Sequence, residues 1–507
     1  MKTHPPLILI AIDGADDRLI QTWVNEGYLP TIASVMERGC YGKVGGLESL
    51  AEHGTPLSLV SGVSRAVHGY YYFRQLVPKT YQLSPYNFSD TKVLPFWTHL
   101  SQEDKKVAVI DAPDSAMVAN LKGIQVANWA AYRDRLSMDV LLPCTNPPEL
   151  LEDVRQIFGK PITISEFNSQ TSFAQDVIMY HRVLERIEKK GKLCRELCQR
   201  DDFDLISLGF YESHAGSHYF WKYLKAAPEE ENQLTHAIRD IYQAIDTQIK
   251  LFLQELPQQA NVVIYSAFGM ADSYPTTGLI PDFCQKFGYQ VLLTASEERS
   301  LKPLPLARKL LPQSWREAIS QRLPLSVQER LINDNFANTT DWGKTRAFAI
   351  PSLYTSFIRV NLAGREPQGI VQPGKDYNDL LTEIETNLQQ LIDPVTNKPA
   401  IKQIVKTAQW FNSEPPEHLP DIFVEWQPAQ HFLASLIHPQ TEITQAKSSY
   451  HRDSYHSQNG FMAVAGDAIK TQGQFEDISI LDLAPTFLNL MKVEIPPELT
   501  GNVVKFT

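Results

Sequence analysis

Short apolar runs alternate with helical patterns along this chain. Leu7–Ile12, Val107–Ile110, Asp204–Phe210, Asn261–Tyr265, Asp421–Glu425 and Gly460–Ala465 are nearly continuous in apolar residues and rich in Ile and Val. Strands buried on both faces read this way. Helical segments lie between them, including Gln175–Cys198 and Glu230–Leu256. The alternation predicts an α/β fold, a mainly parallel sheet flanked by helices. From about Ser273 to Glu417 the texture changes. Arg299–Leu331 is basic, proline-punctuated and helical, and Thr355–Leu362 alternates like an exposed strand. The expected organisation is a core of residues 1–272 and 418–507 with an inserted cap region, 273–417.

Composition narrows the class. A chain of 507 residues exceeds one minimal core, and 43% hydrophobic with 21% charged residues is ordinary for a globular protein. A net charge of −11 argues against a nucleic-acid partner and leaves room for a local basic patch that holds a small anionic substrate. The stretch Arg299, Lys302, Arg308, Lys309 and Arg316 is one such patch, although a solvated helical face reads the same. Five scattered cysteines form no disulfide framework. Cys194 and Cys198 share a helix face without a second ligand pair, which predicts a reduced pair rather than zinc. The six-residue run Leu7–Ile12, stopped by Asp13, is too short for a signal peptide or a membrane span, so a cytoplasmic enzyme is expected.

The candidate chemistry gathers after the strands, where open α/β sheets bind ligands. The segment DLISLGFYESHAGSHYFW runs from a strand into Glu212, His214 and His218. On a helix the two histidines sit one turn apart on one face and can hold a divalent metal, with Glu212 joining or orienting them. Asp13 follows the first strand as a ligand or a substrate-orienting group. Glu52, His53, Thr55 and Ser58 lie where a helix opens, and His451, Arg452 and His456 precede the last strand. Thr55 before proline suits a helix start, where an oxygen meets anions. Glu52 suits a metal ligand or a general base. Arg452 could meet a phosphate or a carboxylate.

Several segments resemble the alkaline phosphatase superfamily, in particular its type I phosphodiesterase/nucleotide pyrophosphatase branch. LILIAIDGAD, SLVSGVSRAVHG, YESHAGSH, VVIYSAFGM, FIRVNLAGREPQGIV, LPDIFVEW and the tail ILDLAPTFLNLMKVEIPPELTG carry the resemblance, which covers most of the chain. It implies an alkaline-phosphatase-like fold and a hydrolase with two divalent metals flanking a nucleophile. The first site implied is His214, His218 and a late histidine, His456 or its competitor His451, with an imidazole where the family has an aspartate. Zinc suits three imidazoles, with iron or manganese as alternatives. The second implied site uses Asp13, the nucleophile and an Asp-His pair, but that pair reads Ala267-Phe268. One tight site is therefore expected. The nucleophile's usual position falls on Glu52, which leaves Thr55 as the nearest suitable hydroxyl.

Three functions follow. The first is a metal-dependent hydrolase of a phosphate mono- or diester. The second is a single-metal enzyme doing lyase, transferase or redox chemistry on a small polar metabolite, and the third is a binding module without catalysis.

Overall fold

A computed structural model describes residues 5–506 apart from 87–90, 113–116, 130–142, 167–170, 226–229, 295–324, 448–451 and the positions 47, 49, 51–52, 92, 161, 165, 258 and 412–413. Glu52, His451 and the basic stretch from Arg299 to Arg316 thus lie outside the described residues. By contact the chain divides into two units, residues 1–71, 87–274 and 449–507 in one and 72–86 and 275–448 in the other.

The first unit is built on a ten-stranded sheet. Its main strands are β1 (Leu7–Ile12), β2 (Cys40–Gly45), β3 (Val107–Ile110), β4 (Gly123–Ala127), β5 (Cys144–Asn146), β6 (Leu205–Phe210), β7 (Asn261–Ser266) and, later in the chain, Gly460–Ala465. The order across the sheet is Gly473–Gln474, β2, Gly460–Ala465, β7, β1, β6, β3, β4 and β5, with Ile478–Ser479 also beside β2. The central five, β7-β1-β6-β3-β4, are parallel. Gly460–Ala465, expected as one more strand of a parallel set, runs antiparallel to both neighbours. The centre carries the predicted apolar runs, since β1, β6 and β7 are buried at every position. β2 escapes the apolar pattern because two glycines and a lysine interrupt it. Gly42 is required there, as a Cβ would lie 2.5 Å from the Phe475 ring.

Four helices position the site. They are α1 (Thr55–Ser61), α2 (Phe173–Cys198), α3 (Glu212–Leu224) and α4 (Ala237–Gln254). α2 opens on a Ser172–Gln175 capping box, which satisfies two backbone donors reciprocally. α3 and α4 approach closely at Gly216, where a Cβ would come within 2.5 Å of Ile241 Cδ1. All five cysteines are free, and burial pushes the Cys194 thiol up to about 12, so it stays protonated.

The second unit has its own core around a four-stranded antiparallel sheet of Ala347–Ile350, Ser356–Val360, Ile422–Trp426 and Ile401–Lys406. Two expectations change here. Ile422–Trp426, read as a strand of the main sheet after a boundary at 417, pairs with Ser356–Val360 inside this unit. Ser356–Val360, within the segment expected as an exposed strand, is buried throughout. Its alternating polar residue, Arg359, is neutralised inside by Glu366 at 2.7 Å, so polarity did not signal exposure. Among the described residues no helix is long and apolar enough to cross a membrane.

Candidate metal centre

The parallel strands end in step. Ile12 is level with Phe210, and Ala11 with Tyr265, so Asp13, Glu212 and Ala267 all emerge at one edge of the sheet. α3 starts there, one residue after β6, and turns His214 and His218 to the same side. The third histidine arrives from far along the chain. Its carriers are β8 (Gly269–Asp272) and β9 (Ser454–Ser457), an antiparallel pair that sets His456 opposite Met270.

The three rings converge through their Nε2 atoms. His456 Nε2 lies 2.8 Å from His214 Nε2 and 2.9 Å from His218 Nε2. His214 and His218 are buried and His456 is partly exposed. The outer nitrogens of the first two are held from behind, His214 Nδ1 by Asp13 Oδ2 at 2.7 Å and His218 Nδ1 by Ser454 Oγ at 3.0 Å. A carboxylate only accepts, so His214 carries a proton on Nδ1, and in the neutral ring the Nε2 lone pair faces inward. Burial, and then the positive Arg452 nearby, hold His218 well below the ordinary histidine pKa, so this ring is neutral.

This geometry tests whether a cation fits. A neutral ring nitrogen either donates or accepts, never both. His456 Nε2 therefore cannot make straight hydrogen bonds to both neighbours while His214 offers only a lone pair. One divalent ion at the common point would accept all three lone pairs, and a histidine–carboxylate pair such as that behind His214 is the usual support of a metal ligand.

The other expected residues have different places. Glu212 is no ligand: its carboxylate meets Arg186 Nε at 2.6 Å and Lys190 Nζ at 3.9 Å, away from the histidines. Helix spacing explains this, because residues two apart do not share a face. Thr55 is the first residue of α1, with Gly54 rather than Thr55 as its N-cap. It is fully buried, and its hydroxyl donates to the Glu48 carbonyl at 3.0 Å. Arg452 is buried and forms an ion pair with Glu166. Asp13 sits behind His214, with Oδ2 engaged there. Beside it is a small cavity lined by Ala11, Pro56, Leu59, Val60, Tyr265, Ser266 and Ala267, which are mostly apolar. Phe268 packs its ring on His456, with centroids 4.5 Å apart. Where the resemblance implied a second metal, the wall is apolar and aromatic.

A second polar cluster lies at α1. Ser58 Oγ is 2.8 Å from His68 Nε2 and 3.1 Å from Glu48 Oε2. This looks like a serine–histidine–carboxylate triad, but its protons run the wrong way. Tyr70 N–H donates to His68 Nδ1 at 3.0 Å, so the proton of the neutral ring is on Nε2 and points at Ser58. His68 thus cannot take a proton from Ser58, and the cluster is structural.

Sequence reasoning misses two participants, Glu48 and Glu166. Glu48 comes three residues after β2 but away from the metal-capable histidines, Glu166 follows no strand among the described residues, and only the folded chain brings Glu48 to Ser58 and Glu166 to His214.

Among solved structures the chain is similar to phosphonoacetate hydrolase from Sinorhizobium meliloti 1021. The complex with phosphonoacetate gives a TM-score of 0.52 and that with phosphonoformate 0.51, each at 12% identity over 97% of this chain and 96% of that chain. Human ectonucleotide pyrophosphatase / phosphodiesterase 5 gives a TM-score of 0.49 at 12% identity, over 98% of this chain and 97% of that one. No protein-family model and no curated protein matches the chain.

Proposed function

We propose that this chain, whose fold is alkaline-phosphatase-like, is a hydrolase of a small phosphate mono- or diester that works with one divalent ion. The observation that carries the reading is the convergence of His214, His218 and His456 Nε2 at the carboxyl edge of the sheet, with Asp13 behind His214. The similar fold of a phosphonoacetate hydrolase holding small phosphonates supports a small anionic substrate. A single ion is favoured because Ala267 and Phe268 offer no ligand at the second position.

A divalent ion bound there supplies Lewis acidity, which polarises a phosphoryl oxygen and makes water more acidic. The chain's own residues do the rest. Asp13 keeps the His214 proton on Nδ1 and fixes the ring. Burial keeps His218 neutral and able to bind. Arg452, although paired with Glu166, helps hold His218 neutral. Phe268 excludes water from one flank of His456 and His214. Thr55 gives its proton to a backbone carbonyl, a weak base, so the attacking group is assigned to water rather than to Thr55.

The test is hydrolysis of an aryl phosphate and a bis-aryl phosphodiester by protein reconstituted with zinc, manganese or iron. Activity should fall about a thousandfold or more in His214→Ala and His218→Ala, an effect of about 4 kcal/mol. Thr55→Ala should stay within about tenfold of the parent, with Thr55→Ser as the fold control. A thousandfold loss in Thr55→Ala alone would make Thr55 the nucleophile. One bound ion without hydrolysis of either ester would move the reading to lyase, transferase or redox chemistry at the same centre.

Asp13→Ala should weaken metal binding by about 10–100-fold, as loss of a carboxylate behind a histidine ligand generally does. Competition with a chromophoric chelator measures it. An unchanged affinity would mean that Asp13 does not orient His214 for the ion.

A further inference from the structure

The third histidine rides on the slightest support in the centre. β8 and β9, four residues each, form a two-stranded sheet of their own outside the ten-stranded one. Such a ribbon is marginal by itself, whereas distances to a metal hold to about 0.2 Å. The pair therefore needs fastening, and buried polar groups meet it at both ends.

Asp16 meets the end nearer the main sheet. It is fully buried and follows Asp13 by three residues. Its two oxygens have separate tasks. Oδ1 accepts from the Arg18 backbone N–H at 3.1 Å and caps the helix Asp17–Asn25. Oδ2 reaches the strand pair instead, accepting from the Met270 N–H at 3.1 Å and from Ser457 Oγ at 3.4 Å. Met270 lies opposite His456 in the register, and Ser457 is the next residue along the chain. Arg18 completes the link, since its Nη2 donates to Asp16 Oδ2 at 3.1 Å and to the Met270 carbonyl at 2.9 Å. β8 passes so close that a Cβ on Gly269 would lie 2.5 Å from Oδ2. A helix cap uses one oxygen, so capping leaves Oδ2 unexplained.

The far end of the pair is tied to α3. Asp272 Oδ1 accepts from Trp221 Nε1 at 2.7 Å, and Ser454, opposite Asp272, meets His218. That end is fixed relative to the first two histidines. Asp16 fixes the other end to the loop that begins at Asp13, the residue behind His214.

We infer that Asp16 is a positioning residue for His456. Through Met270 and Ser457 it sets the third ring against the other two, and the short loop from Asp13 to Asp16 thereby aligns both His214 and His456. The consequence for metal binding rests on the single-metal reading above, while the placement of His456 can be read without an ion.

Asp16→Ser tests this in the full-length protein, because serine retains a capping hydroxyl and is too short to reach Met270. Competition with a chromophoric chelator should show zinc bound about 10–100-fold more weakly than by the parent. In a His456→Ala background the same substitution should change affinity by less than about twofold, since the ring it positions is gone. An equal loss with and without His456, or a lowered melting temperature with unchanged affinity per folded chain, overturns the inference. Arg18→Ala removes an exposed bridge and leaves the cap intact, so it keeps the test decisive if Asp16→Ser does not fold. Its loss should be smaller and again absent without His456. In the metal-free protein, carbethoxylation of His456 by diethyl pyrocarbonate, resolved by peptide mass, should run several-fold faster in Asp16→Ser. Equal rates in folded protein overturn the positioning role. A parent that takes up neither zinc, manganese nor iron refutes the metal reading alone, and the carbethoxylation rates then decide the role of Asp16.

Discussion

Replacing Glu212 with alanine should lower stability by about 3–5 kcal/mol, the usual cost of breaking a buried ion pair, without reducing metal content per folded chain. Glu212, Arg186, Lys190 and Asp111 form a neutral group of four buried charges beneath α3. Arg186 and Lys190 side chains are fully buried, and Lys190 Nζ also meets Asp111 Oδ2 at 3.1 Å. Burial opposes ionisation of Glu212, but the charges of Lys190 and then Arg186 outweigh it and hold the carboxyl below its ordinary pKa. Removing that carboxylate leaves one positive charge without compensation in the interior. Thermal unfolding reads the effect as a drop in melting temperature of about 5 °C or more for a unit of this size. Elemental analysis of the folded fraction reads the second half. Intact stability with lost metal would restore Glu212 as a ligand and refute its structural role.

Acid should destabilise the chain through His68, and His68→Asn should remove that sensitivity. Burial, and then the neighbouring Arg65 charge, depress the His68 pKa from its ordinary 6.5 to about 3. The hydrogen bonds demand the same thing, since a proton on Nδ1 would face the Tyr70 N–H. The unfolded chain therefore takes up this proton first as pH falls. The stabilising contribution is complete above about pH 6.5, and it is lost progressively from there down to about pH 3. The slope is about 1.4 kcal/mol per pH unit. His68→Asn should begin less stable at pH 7.5 by about 1–3 kcal/mol, because Ser58 and Tyr70 lose a buried partner. Its disadvantage should then shrink by about 1.4 kcal/mol per unit below pH 6.5. Denaturant titrations at pH 7.5, 6.5, 5.5 and 5.0 measure the difference, and parallel curves for the two proteins would refute it. His218 titrates with the same sign, so only the comparison with His68→Asn isolates the effect.

Local pattern makes the sheet centre and the histidine helix legible in the sequence. β1, β6 and β7 are buried on both faces, so nearly all their side chains are apolar, with Ser207, Asn261 and Ser266 the exceptions, and the runs stand out. His214 and His218 share a face because an α-helix returns after about four residues. The same spacing rule turns Glu212 away from them, and strictly applied it removes Glu212 from the ligand set. Thr55 does open a helix, as its place before proline predicts, but it is a buried donor rather than an anion-facing group. The fate of its hydroxyl depends on the carbonyl of Glu48, seven residues away, which helix-start preferences do not register.

The α/β class, the strands that end at the site and the pairing of His214 with His218 are thus properties of neighbours along the chain, and residue order is enough to specify them. Folding in three dimensions selects the late histidine that joins them, through the Met270–His456 register. It also sets Asp13 behind His214, the Glu166–Arg452 pair beside it and the direction of protons in the Ser58–His68 cluster. These depend on contacts between segments up to 286 residues apart, and no local periodicity encodes a distance of that kind.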